Sequence, residues 1–151
     1  MSIQTPIGRS YKLPIRTYTS LPNDDAQGVT EELIGSVVVE FYSRVRLDAE
    51  LGPVFDTHIA DWPEHLDRMV DFWSAALLKS GRYTGNPVES HRRVESLSAG
   101  HFDRWITLFE QTVRDVCPLR EAEAFLLRAL RMREGLMKAL QPDPRGPSPR
   151  P

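Results

Sequence analysis

The sequence predicts an all-α fold. Four long segments repeat apolar side chains every three to four residues, which is the period of a helix that packs one face against a core. Only the run Val37-Val38-Val39 also fits a strand, and the long helical stripe around it favours helix. With 151 residues the chain has the length of one domain and can bury a core large enough to enclose a pocket.

Charge and cysteine content narrow the class of protein. The formal net charge is −2, so no overall positive field favours nucleic acid or an anionic membrane as a partner. No apolar run has the length of a transmembrane helix, and the first residues lack the apolar core of a signal peptide. Cys117 is the only cysteine, which excludes a disulfide or a cysteine-based metal site within one chain. We therefore expect a cytoplasmic protein with no nucleic-acid or membrane partner.

We divide the chain into one helical domain and two flanking segments. Residues 1–28 are rich in Pro, Thr, Ser, Gly and Asn without a sustained period, so we expect an extended N-terminal arm. Residues 29–140 carry the helical segments and form the predicted domain. Residues 141–151 are dominated by proline and are predicted to be a disordered tail.

The first predicted helix follows Thr30, whose side chain is a good N-cap. Glu31 and Glu32 then place carboxylates at the positive end of the helix dipole. Its apolar face is formed by Leu33, Ile34, Val37, Val38, Phe41, Tyr42 and Val45. This stripe predicts a helix with one face in the core.

A turn and a second long helix are predicted next. Residues 51–55 (Leu-Gly-Pro-Val-Phe) interrupt the helical period, and we expect a turn here that delivers Phe55 to the core. Asp61, Pro63 and Glu64 form a helix start with a capping carboxylate, an early proline and an acidic residue three positions after the cap. The apolar face of this helix consists of Trp62, Leu66, Met69, Val70, Trp73 and Leu77.

A short helix is expected to carry His91. Asn86 is a good N-cap, and Pro87 suits the first helical position because its missing N–H would have no partner there. His91 then lies about one turn into the helix, on the same side as Val88 and Val94. A histidine held between two long apolar helices could be the single protein ligand of a haem iron.

Two further long helices complete the predicted domain. Ser98 can cap the third long helix, whose apolar side chains are Phe102, Trp105, Ile106, Phe109, Val113 and Val116. Pro118 restarts the chain in the fourth, whose apolar side chains are Phe125, Leu126, Ala129, Met132, Leu136 and Leu140.

Three polar side chains face the predicted core from three different helices. Tyr42 and Trp105 lie on the apolar stripes of the first and third long helices, and His65 lies at the border of the second. Buried hydroxyl and N–H groups need hydrogen-bond partners, and together these three could donate to a polar diatomic molecule in a small dry pocket. Each also has a simpler interpretation, because an inward Tyr or Trp is usually core and a lone His at a stripe edge is usually an interface residue.

Other kinds of chemistry have less support. Glu64 and His65 do not form the helix of a zinc protease, because no second histidine follows four residues after the first. No compact cluster of carboxylates falls on one buried face, which argues against metal-free acid–base catalysis. We expect His58 and His101 to be surface or capping residues, and His91 without its neighbours would more often lie on the surface.

Together these features resemble the truncated haemoglobins, specifically their group III (P-type) branch. The resemblance covers about residues 30 to 140 in order and without large gaps, and the Gly-Gly pairs that mark the other truncated groups are missing. It is carried by Phe41-Tyr42, residues 51–55, His65 followed by Phe72-Trp73, the motif Tyr83-x-Gly85-x-Pro87-x-x-x-His91, and Phe102-x-x-Trp105-x-x-Leu108-Phe109.

The resemblance implies a two-over-two helical sandwich around haem b. His91 matches the proximal ligand of the iron, and its other ring nitrogen is expected to donate to a backbone carbonyl. Tyr42, His65 and Trp105 match the distal polar positions, where His65 could also gate the pocket or bind iron itself. Arg68 could reach a haem propionate from the rim as a bidentate donor. The remaining expected haem contacts are Phe55, Met69, Phe72, Val88, Val94 and Met132.

Three functions fit these observations. The resemblance favours a haem protein that reversibly binds O₂, CO, NO or a similar small ligand, with Tyr42 as the main donor and Trp105 next. The alternative is a haem-dependent redox enzyme with nitric-oxide dioxygenase or peroxidase-like activity, which would bring in a reductase or hydrogen peroxide. The same distal donors serve both, so the sequence does not separate them. The third is a cofactor-free helical interaction module in which the His, Tyr and Trp side chains only pack.

Overall fold

The structure is a computed structural model that describes residues 28–94 and 97–140. Within these residues it contains six α-helices and no strand, which confirms the all-α prediction. The helices are α1 Glu31–Leu47, α2 Leu51–His58, α3 Trp62–Leu78, α4 Pro87–Arg92, α5 Ala99–Val116 and α6 Leu119–Leu140. None of these helices is long and apolar enough to cross a membrane. Apart from Gly28, the predicted arm over residues 1–28 and the tail over residues 141–151 lie outside the described residues.

The four long helices pack in two pairs. Helix α1 packs against α3, α5 packs against α6, and contacts between α1 and α5 join the pairs. The two short helices are attached at the edges, with α2 against α1 and α5, and α4 against α6. This arrangement buries the predicted apolar stripe of α1 completely, because that helix contacts both pairs.

Side-chain caps begin the helices where the sequence predicts them. The Thr30 hydroxyl accepts a hydrogen bond from the Leu33 N–H at 3.1 Å. Asp61 and Asn86 cap α3 and α4 in the same way, each accepting from the N–H three residues later at 3.1 Å. At α5 the Ser98 N–H donates to Nδ1 of His101 at 3.1 Å, so His101 has the capping role that was one of its two expected roles. These bonds satisfy N–H groups that have no partner inside their own helix.

The turn predicted at residues 51–55 is wrong, because this stretch forms helix α2. Pro53 falls in the first turn of the helix, where its missing N–H costs no intrahelical bond. The Asp48 carboxylate accepts hydrogen bonds from the Glu50 and Leu51 N–H groups at 3.1 and 2.9 Å, which starts the helix from outside it. Phe55 reaches the core as expected, as a half-buried ring packed against it.

An ion pair fixes α5 against the start of α2. The Arg104 guanidinium donates from Nε and Nη2 to Oδ1 of Asp48 at 2.9 and 2.5 Å. This hydrogen bond from Arg104 holds the pKa of Asp48 below its usual value. Because Arg104 immediately precedes Trp105, the pair also fixes the register in which α5 presents Trp105.

A stack of three aromatic rings fills the centre of the core. Phe109 lies between Trp73 and Trp105, with ring centroids 5.2 and 5.0 Å away and rings within 9° and 12° of parallel. Phe41 meets both Phe109 and Trp105 edge-on at 5.1 Å. Stacked and edge-to-face contacts at these separations are favourable, so they hold the Trp105 indole in one orientation.

Candidate functional site

A cavity of about 490 Å³ opens between the two helix pairs. Every helix contributes to its wall, α1 through Tyr42, α2 through Phe55, and α4 through His91. The wall is mostly apolar, with a few polar side chains among the apolar ones, which is typical of cofactor and ligand sites.

The structure brings ten of the eleven predicted site residues together in this one cavity. They are Tyr42, Phe55, His65, Arg68, Met69, Phe72, His91, Val94, Trp105 and Met132. Val88 does not line the cavity, although it lies half-buried on the same short helix as His91. The 3.6-residue period places it near the His91 side of the helix, but six residues are too few to fix which way a helix turns towards its neighbours.

Several lining residues were not predicted. Phe102 and Leu136 lie one helical turn from the predicted residues Trp105 and Met132. This spacing could have identified them as lining residues from the sequence. Tyr83 also lines the cavity, with its ring edge-on to Phe72 at 5.2 Å. Tyr83 is the first residue of the motif that ends at His91, and this position in the sequence could also have identified it as a lining residue.

The two remaining histidines also line the cavity. His58 is exposed, and its Nδ1 lies 2.9 Å from the Val54 carbonyl oxygen. His101 is half-buried and caps α5 through Nδ1. Within the described residues no group of three or more His, Cys, Asp or Glu side chains is placed to hold a bare metal ion.

His91 is oriented by its own helix. Its Nδ1 lies 2.6 Å from the carbonyl oxygen of Pro87, one turn earlier in α4. A proton on Nδ1 donates to this carbonyl and leaves the lone pair of Nε2 for a ligand bond. Such a bond from the second ring nitrogen is the usual way in which proteins orient a metal-binding histidine.

His65 is held among three aromatic rings in the cavity wall. It meets Tyr42, Trp62 and Phe55 edge-on, with ring centroids 4.9, 5.5 and 6.4 Å away. Its Nε2 is buried and has no hydrogen-bond partner among the described residues. Burial, and then the nearby charge of Arg68, lower the pKa of His65 to about 4. The imidazole is therefore neutral at physiological pH.

Two further side chains offer hydrogen-bond donors to the cavity. Tyr42 is 5% exposed, and burial raises the pKa of its hydroxyl, which therefore keeps its proton. The Trp105 indole N–H is a donor at every pH. Both side chains are fixed by ring contacts with Phe41 on α1, at 4.9 and 5.1 Å.

The chain is similar in sequence to the group 3 truncated hemoglobin ctb of Campylobacter jejuni. The two are 31% identical over 105 residues, which cover 67% of this chain and 83% of the relative. The chain belongs to the group III truncated haemoglobins. No family model matches its sequence.

A solved structure supports the same assignment. This truncated haemoglobin superimposes on the crystal structure of the group III truncated hemoglobin from Campylobacter jejuni with a TM-score of 0.71 and 30% identity. The match covers 74% of this chain and 91% of the crystal structure's chain. The predicted family and its two-over-two helical fold are therefore confirmed.

We expect acid to destabilise this truncated haemoglobin through His65. In the unfolded chain the His65 imidazole is protonated near the ordinary histidine pKa of about 6.5. In the folded protein its pKa is about 4, so the imidazole is protonated only at lower pH. Stability is therefore lost as pH falls through that window, by about 1–2 kcal/mol after allowing for the partial exposure of the ring. Urea unfolding of the haem-free protein at the two ends of the window measures this loss.

In the His65→Leu variant, the free energy of unfolding should fall less between the two pH values than in the wild-type protein. In the His58→Leu variant it should fall as much as in the wild type, because His58 is exposed. If all three proteins lose the same free energy of unfolding between the two pH values, His65 is not buried in its neutral form.

Proposed function

We propose that this truncated haemoglobin binds haem b in the cavity with His91 as the protein ligand, and reversibly binds O₂ or a similar small ligand such as CO or NO. One observation carries the proposal. The cavity that holds His91, with Nδ1 already tied to Pro87, also holds an unpartnered buried nitrogen of His65 beside Tyr42 and Trp105. A buried nitrogen without a partner is costly in a packed core and is explained by a site that takes a ligand.

His91 fixes the position of the cofactor. When bound, haem would supply an iron that can bind both a histidine nitrogen and a small diatomic molecule. The Pro87 carbonyl selects the tautomer with Nε2 free and fixes the direction in which the ring points. Within the described residues no side-chain carboxylate is hydrogen-bonded to His91; the Pro87 carbonyl and the neighbouring Phe102 ring orient the imidazole.

The apolar wall fits a flat hydrophobic group with a charged edge. Phe55, Met69, Phe72 and Met132 are half-buried lining residues that a porphyrin would cover. Arg68 is exposed at the cavity and has no ion-pair partner within residues 28–94 and 97–140. A propionate would give its guanidinium the bidentate partner that such a group prefers.

The remaining polar groups act on the small ligand. Tyr42 is protonated and Trp105 is fixed by its ring stack, so both can donate to the partly negative atom of O₂ without first reorganising. Bound haem would displace water from the cavity, and each such bond would then be stronger than in solution. These donors should therefore slow the release of O₂. A redox enzyme would use the same donors, and no described residue favours that role over ligand binding.

The absorption spectrum of the purified protein tests this proposal. We expect a strong haem band that increases on addition of hemin and saturates at one haem per chain. We expect one haem per chain because, among the described residues, His91 and the apolar wall lie in the same cavity. A protein that shows no haem band even with added hemin would contradict the proposal and leave only the fold.

A further inference from the structure

Helix α4 is short and makes few packing contacts with the other helices. It has six residues, none of them buried; it packs against α6, and its His91 ring contacts Phe102 of α5 with centroids 6.2 Å apart. A helix of this length is not stable alone, because the cost of starting a helix is spread over too few hydrogen bonds. The pose of His91 therefore depends on how the chain leading into α4 is held.

That chain makes a tight reversal after α3. Lys79 and Gly81 both have left-handed backbone conformations, with φ of 57° and 75°. Glycine adopts such a conformation readily, whereas at Lys79 it is the left-handed C-cap that ends α3, with the Lys79 N–H bonded to the Ala75 carbonyl. Arg82 follows immediately, four residues before the Asn86 cap of α4.

Arg82 makes three hydrogen bonds from this loop to two long helices. Its Nη1 and Nη2 donate to the two carboxylate oxygens of Glu31, at 3.2 and 3.0 Å. Its Nε donates to Oδ1 of Asp71 at 2.9 Å. Glu31 opens α1 and also accepts from the hydroxyl of Ser74, a fully buried residue of α3, at 2.8 Å. We call Arg82, Glu31, Asp71 and Ser74 the loop clamp.

The Glu31 carboxylate of the clamp keeps its charge to lower pH than an ordinary glutamate does. The hydrogen bond from Arg82 lowers the pKa of Glu31 in spite of the opposing effect of burial, and the bond from Ser74 adds to it. The forked pairing of guanidinium and carboxylate fixes geometry as well as distance. A flexible single-point contact would not restrict the loop in this way.

The contacts continue from the clamp to His91. Tyr83 follows Arg82, packs edge-on against Phe72 and lines the cavity. Its phenol folds over Gly85, where a Cβ would clash with the Tyr83 hydroxyl oxygen. Asn86 comes next and starts the helix that carries His91.

We propose that the loop clamp positions His91 for the haem iron, with Arg82 as a positioning residue that acts through the loop and α4. This rests on the proposed role of His91. The clamp sets the direction from which the His91 imidazole approaches the iron. It therefore also sets the strain in the iron–histidine bond. Loosening it should weaken the hold on haem without changing any group that touches haem or ligand.

The Arg82→Gln variant tests this against a matched control, Arg114→Gln. The Arg114–Glu110 pair is as exposed as the Arg82–Glu31 pair, with side chains 41% and 44% exposed against 43% and 46%. It joins two positions on one helix and holds no loop. The readouts are the iron–histidine stretching band in the resonance Raman spectrum of the reduced protein, and the rate at which haem moves to an excess of apomyoglobin.

We expect Arg82→Gln to shift or broaden the iron–histidine band and to release haem about two to ten times faster, as loss of one or two partly exposed ion pairs implies. Arg114→Gln should leave both readouts unchanged. Arg82→Lys keeps the positive charge but loses the two-pronged hydrogen bonding to Glu31, so its band and its rate of haem release should lie between those of the wild type and of Arg82→Gln. Thermal unfolding midpoints of both glutamine variants are measured alongside, because among the described residues Arg82 makes three side-chain hydrogen bonds and Arg114 makes one. A lower midpoint alone would not shift the iron–histidine band, so that band separates positioning from general destabilisation.

Equal bands and equal haem release in Arg82→Gln and Arg114→Gln would overturn the inference and leave the role of His91 standing. A wild-type protein that binds haem without an iron–histidine band would instead remove the ligand assignment itself, and the positioning role with it.

Discussion

The His91→Gly variant is expected to lose most of the haem that the wild-type protein holds. His91 is the histidine whose Nδ1 is tied to a carbonyl of its own helix, at 2.6 Å, with Nε2 left for the iron. Removing an orienting partner of a metal ligand already costs about 10- to 100-fold in affinity, so loss of the ligand should cost at least about 100-fold. Haem affinity is measured by hemin titration, followed in the absorption spectrum.

Two controls separate the loss of the ligand from damage to α4. Added imidazole should enter the vacated space in His91→Gly and restore the wild-type spectrum, because it replaces the lost ring without the chain. His58→Gly, which removes a different histidine of the same cavity, should keep the wild-type spectrum since His58 is exposed and bonded to Val54. If His91→Gly binds haem as tightly as the wild type and with the same spectrum, the assignment of His91 is wrong.

The Tyr42→Phe variant is expected to release O₂ about 10 to 100 times faster than the wild-type protein. Tyr42 is buried and lines the cavity, and its hydroxyl keeps its proton. A preorganised donor contributes about 1.5–3 kcal/mol to a charged acceptor. The ring contacts of Tyr42 with Phe41 and His65 survive the substitution, so the cavity keeps its shape. Stopped-flow displacement of O₂ measures the rate.

The release of CO from Tyr42→Phe serves as a control for the release of O₂. CO carries less negative charge on its outer atom than O₂ does, so its release should change much less. Tyr83→Phe removes a second phenolic hydroxyl of the cavity, one that lies over Gly85, and should leave O₂ release close to the wild-type rate. An unchanged O₂ release rate in Tyr42→Phe would show that Tyr42 does not donate to the ligand.

The long helices could be predicted because their signals are local. Thr30, Asp61 and Asn86 cap helices within three residues of themselves, and each apolar stripe needs only its own segment. Helix α2 was missed because its Gly-Pro pair suggests a turn when read locally. It is stabilised by the Asp48 carboxylate, which is itself held by Arg104, a residue 56 positions later.

The candidate site was predicted as a set of residues, and its details were not. Helical spacing shows which side chains share a face but not which face meets which neighbour, so Val88 was included. Tyr83 lies in the loop between α3 and α4, where no helical period applies, and was left out. The orientation of His91 by a carbonyl was expected from the family resemblance, and the structure contains that contact. The loop clamp joins residues 51 positions apart, and no local pattern links Arg82 to Glu31.

The most direct test of this account is the absorption spectrum of the reduced protein, recorded with and without CO. If the cavity holds haem with His91 on the iron and leaves room beside Tyr42 and Trp105, the spectrum should be that of a histidine-ligated haem, and its strong band should shift on addition of CO. A reduced haem band that does not respond to CO would contradict the presence of an accessible ligand site, and with it the donor roles of Tyr42 and Trp105.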